Sequence, residues 1–274
     1  MTQTVSTRPL PRATRTRRAG VAAVCVATVL PVLWCSAGAA EASIPAIESM
    51  SASTTAMVTF GDSVASGFHC GCTPFPQQYA TRVADADDRI VTMTNYARPG
   101  ETSSDVVQQL TSAAVQATVR RSSTALLLIG ANDFQGAFRD VLAGRQRAAD
   151  AFPAVARSVR RTVTGEIRQI QQLHPGIHVI VAGYWNVMED GRVGLQDYGD
   201  WGERKAVEAT LDCDADLHDA AVATSSTYVS TYYPFKGRDG KSDPTRLLAD
   251  DGDHPDAQGH TMIADAFFQA SPHG

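Results

Sequence analysis

Gly61-Asp62-Ser63 follows directly on the apolar run Met57 to Phe60, with Gly67 four residues after the serine. A serine hydroxyl is a poor nucleophile at neutral pH until a base takes its proton. Gly61 permits a sharp turn without a side-chain clash, which would lift Ser63 clear of the preceding run. By itself the triplet reads equally well as a strand-end turn or a helix N-cap. A base is available near the other end of the chain, in Asp250-Asp251-Gly252-Asp253-His254-Pro255. An imidazole serving Ser63 needs an acceptor on its second ring nitrogen to fix the tautomer. Asp251, three residues before His254, can bend back to it within one turn. Asp250 and Asp253 crowd the same histidine.

Acyl transfer also places negative charge on a carbonyl oxygen, and each pre-aimed N–H donor stabilises that charge by roughly 3 kcal/mol. The backbone N–H groups of Ser63 and Gly100, with the side-chain amide of Asn132, would supply three. Taken singly, Gly100 and Asn132 are ordinary turn residues. A calcium loop fits neither acidic stretch: the aspartates near His254 have the wrong spacing. After Asp212, Asp214 and Asp216, Leu217 stands where glycine is needed and Ala223 where the final glutamate belongs.

These residues must be positioned by the elements between them. Short apolar runs at Met57–Phe60, Ile90–Thr94, Ala125–Ile129, Ile177–Ala182 and Tyr228–Tyr232 read as strands. The run Ala125-Leu-Leu-Leu-Ile129 lacks alternation, as expected of a strand buried on both faces. Helical periodicity predicts helices over Pro76–Ala86, Ser104–Arg120, Phe152–Leu173, Trp201–Thr224 and Ala257–Phe268. In the third, Val155, Val159, Val163, Ile167 and Ile170 recur at spacings of four or three, with arginines on the other faces. Alternation of this kind implies a parallel sheet covered on both sides. Right-handed crossovers then bring the C-terminal strand ends, with Ser63, Gly100 and Asn132, to one rim.

The four blocks, in this order, resemble those of the SGNH (GDSL-type) hydrolase superfamily, and the chain reads as a secreted bacterial member. Gly61-Asp62-Ser63, Gly100, Gly130-Ala131-Asn132-Asp133 and Asp251 to His254 are the matching residues, spanning about residues 57 to 270. The resemblance implies a flavodoxin-like three-layer α/β/α sandwich of about five parallel strands, with no metal and no cofactor. It implies Ser63 as nucleophile, His254 as base and Asp251 as orienting acid, with the Ser63 and Gly100 amides and Asn132 as oxyanion hole. Val64 stands where the motif has leucine. The order Ser…Asp…His, without Gly-x-Ser-x-Gly around Ser63, separates this pattern from α/β-hydrolases. Carboxylic-ester hydrolysis through an acyl-serine is the implied activity. The alternatives are a carbohydrate acetyl esterase with the same residues, or an inactive exported binding protein.

Residues 1–40 have the order of a cleaved signal peptide: Arg8, Arg12, Arg15, Arg17 and Arg18, an apolar run from Ala19 to Trp34, then small residues to Ala40. The run is short of the about 20 residues that span a bilayer. A loose lead-in over residues 41–56 and a hydrolase domain over 57–274 are expected to follow. The chain has 24 basic and 29 acidic residues; without the five leader arginines it has 19 against 29, a net charge of −10. No basic stripe offers itself to nucleic acid. The expected product is an extracellular monomer acting on a small-molecule or lipid ester, without stable membrane insertion. Export favours a disulfide. Of Cys70, Cys72 and Cys213, the expected pair joins one of the first two to Cys213, since only Gly71 separates the first two. The stretch Tyr184–Trp201 reads as a long rim loop whose aromatics, Trp185 and Trp201 above all, either line a substrate pocket or pack the loop down.

Overall fold

The computed structural model describes residues 54–271; the leader, with Cys25, Cys35 and its cleavage point, lies outside the described residues. Five strands, β1 (Thr54–Gly61), β2 (Ile90–Asn95), β3 (Thr124–Leu128), β4 (His178–Ala182) and β5 (Thr227–Val229), form one parallel sheet in the order β2-β1-β3-β4-β5. Every residue of β3 is buried, which its unbroken apolar run requires, whereas β2 alternates as an edge strand should. β1 starts at Thr54, so the last residues of the expected lead-in already belong to the sheet.

The helices are α1 (Ser63–Ser66), α2 (Phe75–Asp87), α3 (Ser103–Gln109), α4 (Ala113–Arg121), α5 (Ala131–Leu142), α6 (Ala148–Leu173), α7 (Gly191–Ala223), α8 (Tyr232–Lys236) and α9 (Ala257–Ala270). The step from β1 to β2 runs one way along the sheet and the later steps run the other. Right-handed crossovers therefore put α2 on one face and α3 to α7 on the opposite face. The packing agrees: α2 pairs with α9, while α6 packs against α3, α4, α5 and α7. This is the expected flavodoxin-like α/β/α sandwich, and its strand order reverses between β1 and β3. In such sheets the crevice at that reversal is where ligands bind.

Four local expectations differ from the structure. The predicted Ser104–Arg120 helix breaks into α3 and α4 around Thr111 and Ser112, where the Thr111 hydroxyl donates to the Gln108 carbonyl at 2.7 Å. Asn132 and Asp133 look like turn residues but open α5, which buries Phe134, Phe138 and Val141. The Tyr228–Tyr232 strand stops at Val229, and Tyr232 starts α8. The supposed rim loop is largely helical, since α7 begins at Gly191 and kinks at Gly199 (φ 63°, ψ 175°).

Candidate active site

At the end of β1 the chain turns so tightly that only glycine fits. Gly61 has φ 155°, and a Cβ there would lie 2.3 Å from the Leu128 carbonyl oxygen. The Asp62 N–H donates to that same oxygen at 3.2 Å. Asp62 then caps α1, accepting from the Val64 N–H at 3.0 Å through one oxygen and from the Tyr184 hydroxyl at 2.5 Å through the other. Burial pushes the Asp62 carboxyl up to about 7 despite both hydrogen bonds. Ser63 is the first residue of α1 and half-buried. Neither its hydroxyl nor its N–H takes a hydrogen-bond partner among the described residues.

The segment after β2 is fastened to this turn. Asn95 Nδ2 donates to the Ala65 carbonyl at 2.8 Å, and the Arg98 N–H donates to the Gly61 carbonyl at 3.0 Å. Gly100 follows, exposed, with φ 81° and an N–H that no described residue accepts. After β3, Gly130 has φ 126°, and a Cβ on it would press on Val159 at 3.0 Å. Asn132 Nδ2 donates to the Glu101 carbonyl at 2.8 Å, while its Oδ1 accepts from Gln135 Nε2 at 3.0 Å. That pairing fixes the amide orientation and leaves one Nδ2 hydrogen free. Asp133 accepts from the Ser103 N–H at 2.9 Å and its hydroxyl at 2.8 Å, tying the Gly100 segment to α5.

His254 lies in a turn closed by hydrogen bonds from the Ala249 N–H to its carbonyl and from the Gly252 N–H to the Ala249 carbonyl. Asp251 Oδ2 stands 2.7 Å from His254 Nδ1, and its Oδ1 accepts the N–H groups of Asp253 and His254 at 3.1 and 3.0 Å. Burial opposes the charge on Asp251, but these hydrogen bonds outweigh it and hold the carboxyl below its ordinary range. His254 Nε2 is buried without a hydrogen-bond partner; Asp253 Oδ2 is 3.8 Å away. Phe68 and His69, just beyond α1, meet the histidine ring at 5.1 and 5.7 Å between centroids. His69 Nδ1 also approaches Asp251 Oδ2 at 3.3 Å. The structure therefore joins Asp251 to His254 and sets both against the segment that begins at Ser63.

The model of the GDSL-like lipase/acylhydrolase family matches residues 59–262. The chain belongs to this family. Among solved structures, the lipase Lip_vut3 from a goat rumen metagenome aligns over 79% of this chain and 97% of its own, at 16% identity and TM-score 0.66. Phospholipase A1 from Streptomyces albidoflavus NA297 aligns over 80% and 100%, at 20% identity and TM-score 0.54. A mutant acetyl-xylooligosaccharide esterase from a Geobacillus aligns over 79% and 93%, at 18% identity and TM-score 0.54. At these identities the likeness is one of fold. No curated protein matches the chain in sequence.

In this GDSL-family chain a cleft of about 420 Å³ reaches Asp253, next to His254, and Gln135, the partner of Asn132. Phe138, Leu142, Val187, Met188 and Tyr198 give it apolar walls, and Arg139, Glu189 and Asp197 polar ones. Trp185 and Trp201 are not among its lining residues. Trp185 is buried and stacked on Phe235 at 4.3 Å, and Trp201 is exposed on α7. Packing of the segment accounts for Trp185, and Tyr198 is the aromatic that meets the cleft. The disulfide expectation is also corrected: Cys70 bonds Cys72, and Cys213 is a free thiol buried in α7. Its sulfur lies 3.6 Å from where a Gly130 Cβ would be, inside the core and out of reach of the surface loop.

Two substitutions separate the crowding carboxylates. Asp251→Asn is expected to lower kcat/KM by roughly 10²-fold or more, because the amide can stabilise the wrong tautomer of His254. Asp253→Asn should stay within about threefold. The reverse ranking, measured on one soluble ester, would assign the orienting role to Asp253.

Proposed function

We propose that the protein hydrolyses carboxylic esters through an acyl-Ser63 intermediate. The observation that carries this reading is the 2.7 Å contact from Asp251 Oδ2 to His254 Nδ1, with Nε2 left free of protein partners beside the Ser63 segment. Asp251 accepts the Nδ1 proton, so the Nε2 lone pair is available to take the proton of Ser63 Oγ as that oxygen attacks the ester carbonyl. The charge on the carbonyl oxygen falls to the N–H groups of Ser63 and Gly100 and to the free Nδ2 hydrogen of Asn132. His254 then returns its proton to the departing alkoxide. Water, activated by the same imidazole, releases the acid and restores Ser63.

The apolar walls of the cleft favour a lipid or simple acyl ester, since Phe138, Leu142, Val187, Met188 and Tyr198 can bury an acyl chain. The polar groups Gln135, Arg139, Glu189 and Asp197 could instead meet sugar hydroxyls, which keeps an acetylated carbohydrate as the second reading. The first 40 residues support export, and among the described residues no helix is long and apolar enough to cross a membrane. An acidic extracellular monomer is the proposed working form.

A panel decides between these readings: a triglyceride, a phospholipid, a short aryl ester and an acetylated polysaccharide, each with the Ser63→Ala variant as control. Ser63-dependent release of fatty acid supports the lipid reading. Ser63-dependent release of acetate from the polysaccharide alone transfers the assignment to carbohydrate. Folded protein that no fluorophosphonate labels at Ser63 would falsify the enzyme reading and leave a binding protein.

A further inference from the structure

The segment between α1 and α2 contains Cys70-Gly71-Cys72, with the two cysteines bonded to each other. A bridge that encloses a single intervening residue restricts very little of the unfolded chain, so global stability is a poor reason for it. Gly71 is exposed and both cysteines are partly so, which leaves the bond open to a small thiol. The surroundings also suit the reduced pair. The Cys72 N–H donates to Cys70 Sγ at 3.0 Å, and the pair precedes the N-terminus of α2, the end of a helix that favours negative charge.

A third group points the same way. His260 is wholly buried in α9, and its Nε2 has no hydrogen-bond partner. One ring nitrogen of His260 and both sulfur atoms lie within 4.8 Å of one another. The Phe75 N–H donates to His260 Nδ1 at 3.2 Å, so Nδ1 holds the lone pair and Nε2 carries the hydrogen of the neutral ring. The reduced pair would therefore sit beside a buried imidazole.

We propose that Cys70 and Cys72 form a thiol–disulfide exchange centre whose oxidised form holds Phe68 and His69 against His254 and Asp251. The thiolate of a small external thiol attacks one cysteine sulfur, and the S–S bond breaks. A mixed disulfide forms and the other cysteine leaves as a thiolate. A second external thiol resolves the mixed disulfide. The products are two cysteine thiols and one small-molecule disulfide, with two electrons and two protons passed to the protein. The link to the site is direct in sequence, since His69 immediately precedes Cys70. His69 has φ 61°, in the left-handed region that side chains seldom adopt. Opening the ring frees that residue to leave it, and with it the ring contact on His254 and the contact with Asp251. The effect on turnover rests on the ester-hydrolase reading; the exchange itself does not.

The test treats the full native chain with dithiothreitol at neutral pH without denaturant. Accessible thiols are counted with a chromogenic disulfide, and the rates of short-ester hydrolysis and Ser63 fluorophosphonate labelling are followed. The reduced wild type should show two more thiols than a Cys70→Ser/Cys72→Ser variant. Both rates should fall by roughly fivefold or more and return when oxidised glutathione is added. The variant should sit at the reduced rate and ignore dithiothreitol. If the variant does not fold, judged by circular dichroism, reduction and reoxidation of the wild type carry the test alone. A bond that resists reduction until the protein unfolds overturns the proposal. So do reduced thiols with unchanged rates, or stoichiometric Zn²⁺ uptake by the reduced protein that requires His260. If neither redox state labels at Ser63 yet the thiols exchange, the hydrolase reading fails and the exchange centre stands.

Discussion

Ser63→Ala is expected to lower ester turnover by about 10⁴-fold or more while leaving the melting transition in place. The two halves of that expectation come from different observations. The Ser63 hydroxyl makes no hydrogen bond within the described protein, so its removal leaves no buried partner unsatisfied. Alanine also suits the first position of a short helix at least as well as serine does. Stability should therefore change by no more than about 0.5 kcal/mol. Turnover depends on that oxygen as the atom that forms the acyl bond. The variant keeps the N–H of residue 63, Gly100 and Asn132, so polarisation of the ester by the oxyanion donors survives and a small residual rate is expected. Measuring kcat on a soluble ester, with circular dichroism melts of both proteins, checks both halves. A variant within tenfold of wild type would remove Ser63 from the chemistry.

The parts of this arrangement that could be read from the sequence are those set by local chemistry. The uninterrupted run at β3 announced a doubly covered strand, and five alternations of strand and helix left few topologies once crossovers are right-handed. Asp251 was legible as the partner of His254 because three residues of turn bring a carboxylate within reach of Nδ1. Contacts that depend on three-dimensional closure were not legible. Tyr184 reaches Asp62 across 122 residues of chain, and no spacing rule connects them. Asn132 and Asp133 have turn chemistry, yet Asp133 serves to hold Ser103 while α5 runs on through Phe134 and Phe138. Cysteine counting favoured Cys213 as a bridge partner because its burial beneath Gly130 is a property of the folded core. For Trp185 the sequence left pocket lining and packing both open for the same reason: composition shows that an aromatic is near the rim, but not which way it faces.

Lys236→Met is expected to destabilise the protein by about 3–5 kcal/mol, more than any surface charge could. Lys236 ends α8 and Asp190 precedes α7. Their side chains are 7% and 1% exposed, and Nζ lies 2.6 and 2.5 Å from the two carboxylate oxygens. Removing one partner strands the other charge away from water. The Asp190 carboxylate would keep only the Gly191 N–H, which donates to Oδ1 at 2.6 Å. Asp190→Leu should cost a similar amount, because it leaves the ammonium buried. The double variant Lys236→Met/Asp190→Leu should recover most of the loss, since an apolar pair in place of a buried ion pair is often close to neutral. The urea midpoints of the four proteins give the coupling directly. A single-variant loss below about 1 kcal/mol would mean that water reaches the pair. The pair also bears on catalysis, because the Asp190 N–H donates to the Gly252 carbonyl at 2.8 Å, between Asp251 and Asp253. That bond belongs to the backbone and survives in the double variant, but the carboxylate that anchors residue 190 does not. The double variant should therefore regain stability ahead of kcat/KM, and that lag would show that the ion pair's main contribution is to the position of the Asp251–His254 turn.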